Sequence, residues 1–286
     1  MTESTAQREA ISVCITAGNE EDNIRRCLES ARWADEIVVV DSFSEDRTVE
    51  ICRAYTDRVY QYQWLGYIGQ KNLIKDLAKG PWILFLDADE EISPALRAEI
   101  ETAFTDGSSQ RYNGFEFPRL VRYLGRWIRH GDWYPDAKLR LFRKTHGRCG
   151  GKEPHDRTEV DGPVKRMKAP IYHYTYTDIT DQLRTLNRFS SISAHSKHAD
   201  GERFTPFRLL LNPIYRFFRC YIIRGGFMDG IPGLIVAVNT AHGVFSKYAK
   251  LWEIQRLGGQ TGSADQSPDG QSTASKPHEE VPHASE

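Results

Sequence analysis

Apolar positions along this chain keep two rhythms. In "ISVCIT" (Ile11 to Thr16) the alternate residues Ile11, Val13 and Ile15 share one face, which is the period of a strand. "EIVVVD" (Glu36 to Asp41) and "WILFLDAD" (Trp82 to Asp89) are apolar on both faces, with "RVYQYQW" a weaker strand between them. Elsewhere the spacing lengthens to that of a helix. Ile24, Leu28 and Ala31 recur at helical intervals, with Asn19 the expected cap and Glu20, Glu21 and Asp22 at the positive end. "SEDRTVEICRAY" and "GQKNLIKDLAKG" predict two more helices, the second stopped by Gly80 and Pro81. "SPALRAEIETAF" predicts another, with Ser93 as cap and Pro94 in the first position.

Strand and helix therefore alternate from Ile11 to Phe104. Strands apolar on both faces, separated by helices, predict a parallel sheet covered on both sides. Ligands of such sheets bind beyond the carboxyl ends of the strands. Asp41 closes one strand and Asp87 and Asp89 close another, which puts all three on one rim. From Gly114 to Tyr176 short aromatic strands ("GFEFPRLVRYL", "AKLRLFRK", "PIYHYTY") alternate with loops rich in Gly, Pro, His and Asp. This predicts a more antiparallel half that completes the sheet and builds an acceptor side. Ile179 to Ala199 reads as one long helix.

Between Arg203 and Arg256 the basic residues Arg203, Arg208, Arg216, Arg219, Arg224, Lys247, Lys250 and Arg256 face only Asp229 and Glu253. Phe, Leu, Ile and Tyr fill the gaps. Such a stretch suits the surface of an anionic membrane, or a helical subdomain packed on the main domain. The segment after Leu257 has almost no apolar residues and is expected to be disordered.

Composition narrows the function by exclusion. The 286 residues are 40% hydrophobic and 27% charged, ordinary for a globular protein, and the net charge of -1 gives no sign of a nucleic-acid partner. The five cysteines are scattered and form no CxxC pair, so a reducing, cytosolic setting is expected. The polar N-terminus does not read as a secretory signal, and no apolar run approaches the ~20 residues that span a bilayer. There is no GxGxxG after the first strand, no GxxxxGK[ST] and no GxSxG. The Asp87-x-Asp89 pair after a buried strand instead suits a divalent cation, Mg²⁺ or Mn²⁺, that would hold a diphosphate.

Four segments, "ISVCITAGNEEDNIRRCLESA", "EIVVVDSFSEDRTVEICRAY", "GQKNLIKDLAKGPWILFLDADEEISP" and "WYPDAKLRLFRK", together resemble the family 2 glycosyltransferases. Within them the chain is most similar to the WaaE/KdtX-like lipopolysaccharide core β-1,4-glucosyltransferases. The resemblance runs from Ile11 to Trp252 and implies a glycosyltransferase A fold, a Rossmann-like mixed sheet in residues 1–176. A helical extension in 177–256 and a tail in 257–286 complete the expected organisation. It implies an inverting hexose transfer, expected from UDP-glucose, to a lipopolysaccharide-core or other lipid-linked acceptor. The enzyme would lie on the inner face of the cytoplasmic membrane. A polyprenyl-linked or protein acceptor, or a non-catalytic nucleotide-sugar-binding scaffold, are the alternatives.

The resemblance also implies roles. Thr16 and Glu20 correspond to contacts with the nucleoside, Asp41 to the residue that reads the uracil ring, and Lys71 to a basic residue near the donor. Asp87 and Asp89 correspond to the metal motif, with Asp87 also reaching the ribose. For the base that deprotonates the acceptor hydroxyl, Asp156 in "GGKEPHDRTE" comes first, then Glu153, then Asp136 in "WYPD". Relatives carry Glu at the position of Asp156, which leaves its reach one methylene short. His155 and His173 are candidates for the metal shell or the diphosphate.

Overall fold

The computed structural model describes residues 8–153 and 155–258, and the side chain of His155 lies outside that description. The first half runs β1 (Ile11–Ala17), α1 (Ile24–Ala31), β2 (Glu36–Asp41), α2 (Thr48–Arg53), β3 (Val59–Gln61), α3 (Gly66–Leu77) and β4 (Trp82–Asp87). Next come β5 (Glu90–Ile92), α4 (Pro94–Thr105), α5 (Ser108–Arg111), β6 (Gly114–Tyr123), β7 (Arg126–Ile128) and β8 (Asp136–Arg143). The hairpin β9 (Gly147–Lys152) and β10 (His155–Val160), then β11 (Val164–Arg166) and β12 (Ile171–His173), lead into α6 (Ile179–Ala199). Two helices follow, α7 (Pro206–Phe218) and α8 (Gly230–Leu257), linked by a π-helical turn at Arg219–Ile223 and a 3₁₀ turn at Gly226–Asp229.

The main sheet has the order β3-β2-β1-β4-β8-β6-β12-β5, with β7 and β11 also paired to β6. β1 is parallel to both β2 and β4, so the winding runs outward in one direction, then reverses across β1. β8 is antiparallel to β4 and to β6, which makes the second half the mixed, more antiparallel part that the aromatic strands predict. One core layer packs Ile11, Val13 and Ile15 under Ile24, Cys27, Leu28 and Ala31 of α1, and the other face of the sheet packs Val38, Val40, Ile83 and Phe85 against Ile74 of α3. Burial on both faces explains why β2 and β4 carry no alternation.

Of two expected helix caps, one holds and one needs adjusting. Ser93 caps α4 as read, its hydroxyl accepting from the Leu96 N–H at 3.1 Å. Asn19 does not cap α1, which begins only at Ile24. It sits instead at φ +52° in the loop after β1, where its side chain accepts from Glu45 N–H at 2.8 Å and its own N–H donates to Ser44 Oγ at 2.8 Å. Asn tolerates the left-handed region better than most residues. The bonds tie the loop after β1 to the loop after β2. The segment after Gly258, expected to be disordered, lies outside the described residues.

The helical extension packs on the sheet rather than standing apart. Val236 and Ala237 of α8 and Cys220 bury against Val121, Tyr123 and Ile128. A buried polar hub adds specificity: Gln182 Oε1 on α6 accepts from Tyr123 OH and from Asn239 Nδ2, both at 2.5 Å. All five cysteines are free and buried.

Candidate active site

The ends of β1, β2 and β4 bring the rim residues together. Thr16 and Asp87 are direct register partners, and Asp41 opposes Ala17. Beyond these ends, at the point where the winding reverses, lies a cavity of about 350 Å³. Thr16, Glu20, Lys71, Asp87, Asp89 and Asp156 all line it, as do Trp64, Tyr67, Tyr176 and Arg188. A wider hollow of about 960 Å³ opens near the amino ends of the strands, lined by Arg25, Glu29, Asp35 and Tyr55 among others, and contains none of the rim aspartates.

How Asp87 is tolerated at the end of a buried strand is settled by two protein cations. Arg140 of β8, itself 7% exposed, donates from Nη2 to Asp87 Oδ2 at 2.5 Å and to Glu90 Oε1 at 2.9 Å. Glu90 is 1% exposed, and its other oxygen accepts from the Asp87 N–H at 3.0 Å. Lys71 of α3 places Nζ 3.3 Å from Asp87 Oδ1 and donates to Asp156 Oδ2 at 2.9 Å. Burial alone would push the Asp87 carboxyl up, but Arg140 and Lys71 hold it well below the usual carboxylate range. Burial likewise works against the Lys71 ammonium, and Asp87 and Asp156 more than restore it, so Lys71 stays charged. Asp87 therefore differs from the sequence expectation. Both its oxygens are engaged by protein cations, and a metal is not needed to neutralise it.

Asp89 stands apart from this chain of charges. Its Oδ2 lies 2.9 Å from His173 Nε2, and its backbone carbonyl accepts from Tyr174 N–H at 2.9 Å. Burial opposes its charge and His173 offsets that, leaving the carboxyl below its usual value. β12 supplies His173 because it pairs antiparallel with β5, His173 opposite Glu90. The Nδ1 of the ring is buried with no hydrogen-bond partner among the described residues. Asp89 lines the cavity, where a carboxylate oxygen suits a divalent cation whose remaining ligands come from a diphosphate, while His173 is not among the lining residues and gives its Nε2 to Asp89. Among the described residues no group of three or more His, Cys, Asp or Glu side chains forms a complete metal cluster.

The remaining candidates divide. Asp41 is fully buried and turned inward, accepting from Ser44 N–H at 2.9 Å, from the Ser44 hydroxyl, and from Gln61 Nε2 at 3.2 Å. It shapes the loop after β2 and is not among the residues that line the cavity, although its neighbour Ser42 is. Glu153 is also spent elsewhere: its Oε1 accepts from Ile68 N–H at 2.9 Å in the first turn of α3. Gly66 makes room for that contact, since a Cβ there would fall 2.6 Å from the same oxygen. Asp136 pairs with Arg119 at 2.6 Å and with Lys138 at 3.1 Å, away from the cavity. Of the three candidate bases only Asp156 lines it. Burial, with the nearby Asp89 carboxylate, raises the Glu20 carboxyl to about 7.

Sequence reading missed Arg140 and Glu90, the residues on which Asp87 depends. One signal was present: Arg140 is a charged side chain inside the alternating strand "AKLRLFRK", and such a residue is rarely buried without a partner. It also missed that α6 contributes to the cavity, through Thr185, Arg188 and Phe189.

Replacing Arg140 by Leu leaves Asp87 and Glu90 adjacent with only Lys71 and Arg119 near. Breaking a buried pair from one side costs about 3–5 kcal/mol, so urea unfolding of Arg140→Leu should show a loss of that order; a loss below about 1 kcal/mol would show that water reaches the pair. Glu20 gives a pH signature. Its folded-state proton is held up to about 7, whereas the unfolded chain releases it near the ordinary 4.5. Native stability should therefore fall as pH rises through that window. In protein without added metal or nucleotide, the stability advantage of Glu20→Gln over the native chain should widen from pH 4.5 to 7 and then level off. A constant difference across the window would show that Glu20 titrates normally.

Residues 12–156 match the family model for glycosyl transferase family 2. A Rickettsia typhi protein named "uncharacterized glycosyltransferase" is 32% identical over 254 residues, spanning 85% of this chain and 87% of that protein. A Rhizobium meliloti protein, the lipopolysaccharide core biosynthesis glycosyltransferase LpsC, is 28% identical over 254 residues, spanning 86% of this chain and 93% of its own. Among solved structures, that of S. aureus TarS 1-349 in complex with UDP-GlcNAc is similar at a TM-score of 0.44 and 14% identity, covering 87% of this chain and 92% of that one. With a parallel sheet that becomes mixed after β4, and a family match over half its length, the chain belongs to glycosyl transferase family 2 and is a glycosyltransferase of the glycosyltransferase A fold.

Proposed function

We propose that this enzyme moves a hexose from a UDP-sugar, with inversion, to a saccharide of the lipopolysaccharide core. The observation that carries the donor side is the convergence of Asp87, Asp89, Lys71 and Asp156 on one cavity at the carboxyl ends of β1 and β4. The acceptor side rests on the similarity to LpsC, a protein named for lipopolysaccharide core biosynthesis.

Thr16 and Glu20, after β1, face the nucleoside. Asp89, held in place by His173, would offer a carboxylate oxygen to a divalent cation, Mn²⁺ or Mg²⁺, against the donor diphosphate. When bound, that ion supplies positive charge to offset the charge that develops on the departing UDP. Lys71 adds a fixed ammonium on the same side. Asp87, clamped by Arg140, meets the ribose rather than the metal. Asp156 takes the proton from the acceptor hydroxyl as its oxygen bonds to the anomeric carbon and the bond from that carbon to the diphosphate breaks. Trp64 and Tyr67, packed edge to face with ring centroids 5.0 Å apart, offer a rigid apolar wall to a sugar ring.

The test measures UDP release from a panel of UDP-sugars with a purified core oligosaccharide. Turnover should require Mn²⁺ or Mg²⁺ and vanish in EDTA and in Asp89→Asn. Asp156→Asn should lower kcat by about 10²–10⁴-fold with donor affinity nearly unchanged, since a base acts in the transition state. Full turnover by Asp156→Asn would remove it as the base. Binding of a UDP-sugar with no transfer to any acceptor would make the protein a nucleotide-sugar-binding scaffold.

A further inference from the structure

α7 has no buried residue. Leu209 and Phe217 lean on the body of the protein, but Phe207, Leu210, Leu211, Ile214, Tyr215 and Phe218 form an outer ridge that is 53–76% exposed at every position. The ridge continues past the helix end through Ile223, 72% exposed, to Ile231 at the start of α8, 74% exposed. An apolar stripe of this length on a monomer surface marks an interaction site.

The chemistry around the ridge identifies the partner. Asp132, whose side chain is 6% exposed, is surrounded by three guanidiniums: Arg219 at 2.5 Å, Arg216 at 3.3 Å and Arg224 at 3.5 Å. One carboxylate answers one of the three charges, and the arginines keep 24–42% of their side-chain surface open. On the neighbouring side the β6–β7 hairpin presents an exposed Leu124 and joins the same surface through Arg126, whose Nη2 donates to the Met228 carbonyl at 3.0 Å. Apolar side chains along a convex helix, with uncompensated arginines beside them, fit the boundary between acyl chains and phosphate headgroups. A second copy of the chain fits poorly. A twofold contact through the ridge would set the same arginines against each other. No single described helix is long and apolar enough to cross a membrane; the segments Pro206–Ile223 and Gly226–Leu257, bent by 69° to one another, reach that length and composition only when taken together.

We propose that α7, the turns that follow it, the start of α8 and the β6–β7 hairpin dock this protein peripherally on an anionic bilayer. The ridge inserts to headgroup depth and the arginines around Asp132 take lipid phosphates. This does not depend on which sugar is transferred, because none of these residues lines the donor cavity.

Liposome flotation of the full chain tests it. The native protein should float with phosphatidylcholine vesicles that contain phosphatidylglycerol at low salt, and be released as salt is raised. Leu211→Glu combined with Ile214→Glu should stay at the bottom of the gradient while keeping the native thermal midpoint and UDP-sugar affinity, since both positions are exposed. Arg224→Gln should weaken partitioning about fivefold, the effect of one basic residue near an anionic surface. The proposal is overturned if the native protein ignores the anionic vesicles, or if it floats equally well on phosphatidylcholine alone. It is overturned too if the native protein is a dimer that the double Glu variant splits into monomers, because the ridge would then be a self-association face.

Discussion

The guanidinium of Arg140 is the fixed point of this molecule. A parallel strand must deliver its last residue to the rim, and here that residue is an aspartate at the edge of a dry layer. Leaving Asp87 uncompensated there would cost several kcal/mol. Arg140 reaches it from β8, which enters the sheet antiparallel beside β4, and the same guanidinium also holds Glu90 at the start of β5. The first half of the fold and the second are thus joined at the residue that ends the central strand. The whole of the donor side, with Lys71 and Asp156 beyond it, is arranged around this ion pair.

Much of the nucleotide-binding half was legible because its signals are local. Alternation, or its absence, set β1, β2 and β4, and Ser93 with Pro94 set the start of α4. The identity of the residues facing the cavity was harder to read, because side-chain pairing is not local. Asp41 looked like a free rim carboxylate, yet Ser44 and Gln61 occupy it. Glu153 looked like a spare base, yet it caps α3, 85 residues earlier in the chain. Arg140 and Glu90 read as ordinary charged residues until β8 and β5 were placed. The apolar residues between the basic ones from Arg203 to Arg256 were plain in the sequence, which could not say that none of the described residues covers the outer face of α7.

The extension also takes part in the site. α6 lends Thr185, Arg188 and Phe189 to the cavity wall, and Gln182 on the same helix ties it to Tyr123 in the sheet and to Asn239 in α8. Buried polar groups that satisfy one another fix a single arrangement more firmly than apolar packing alone. The cavity wall on α6 and the ridge on α7 are therefore joined through α8, on which both helices pack.

The hairpin of β9 and β10 carries Glu153 on its turn and Asp156 on its second strand. Glu153 reaches across to α3 and fastens the hairpin there through a glycine that leaves room for it, while Asp156 meets Lys71 on the next turn of the same helix. The place of the Asp156 carboxylate at the cavity is thus set from two points on one helix, the clasp at Gly66 and Ile68 and the ammonium of Lys71, and not by its own strand alone.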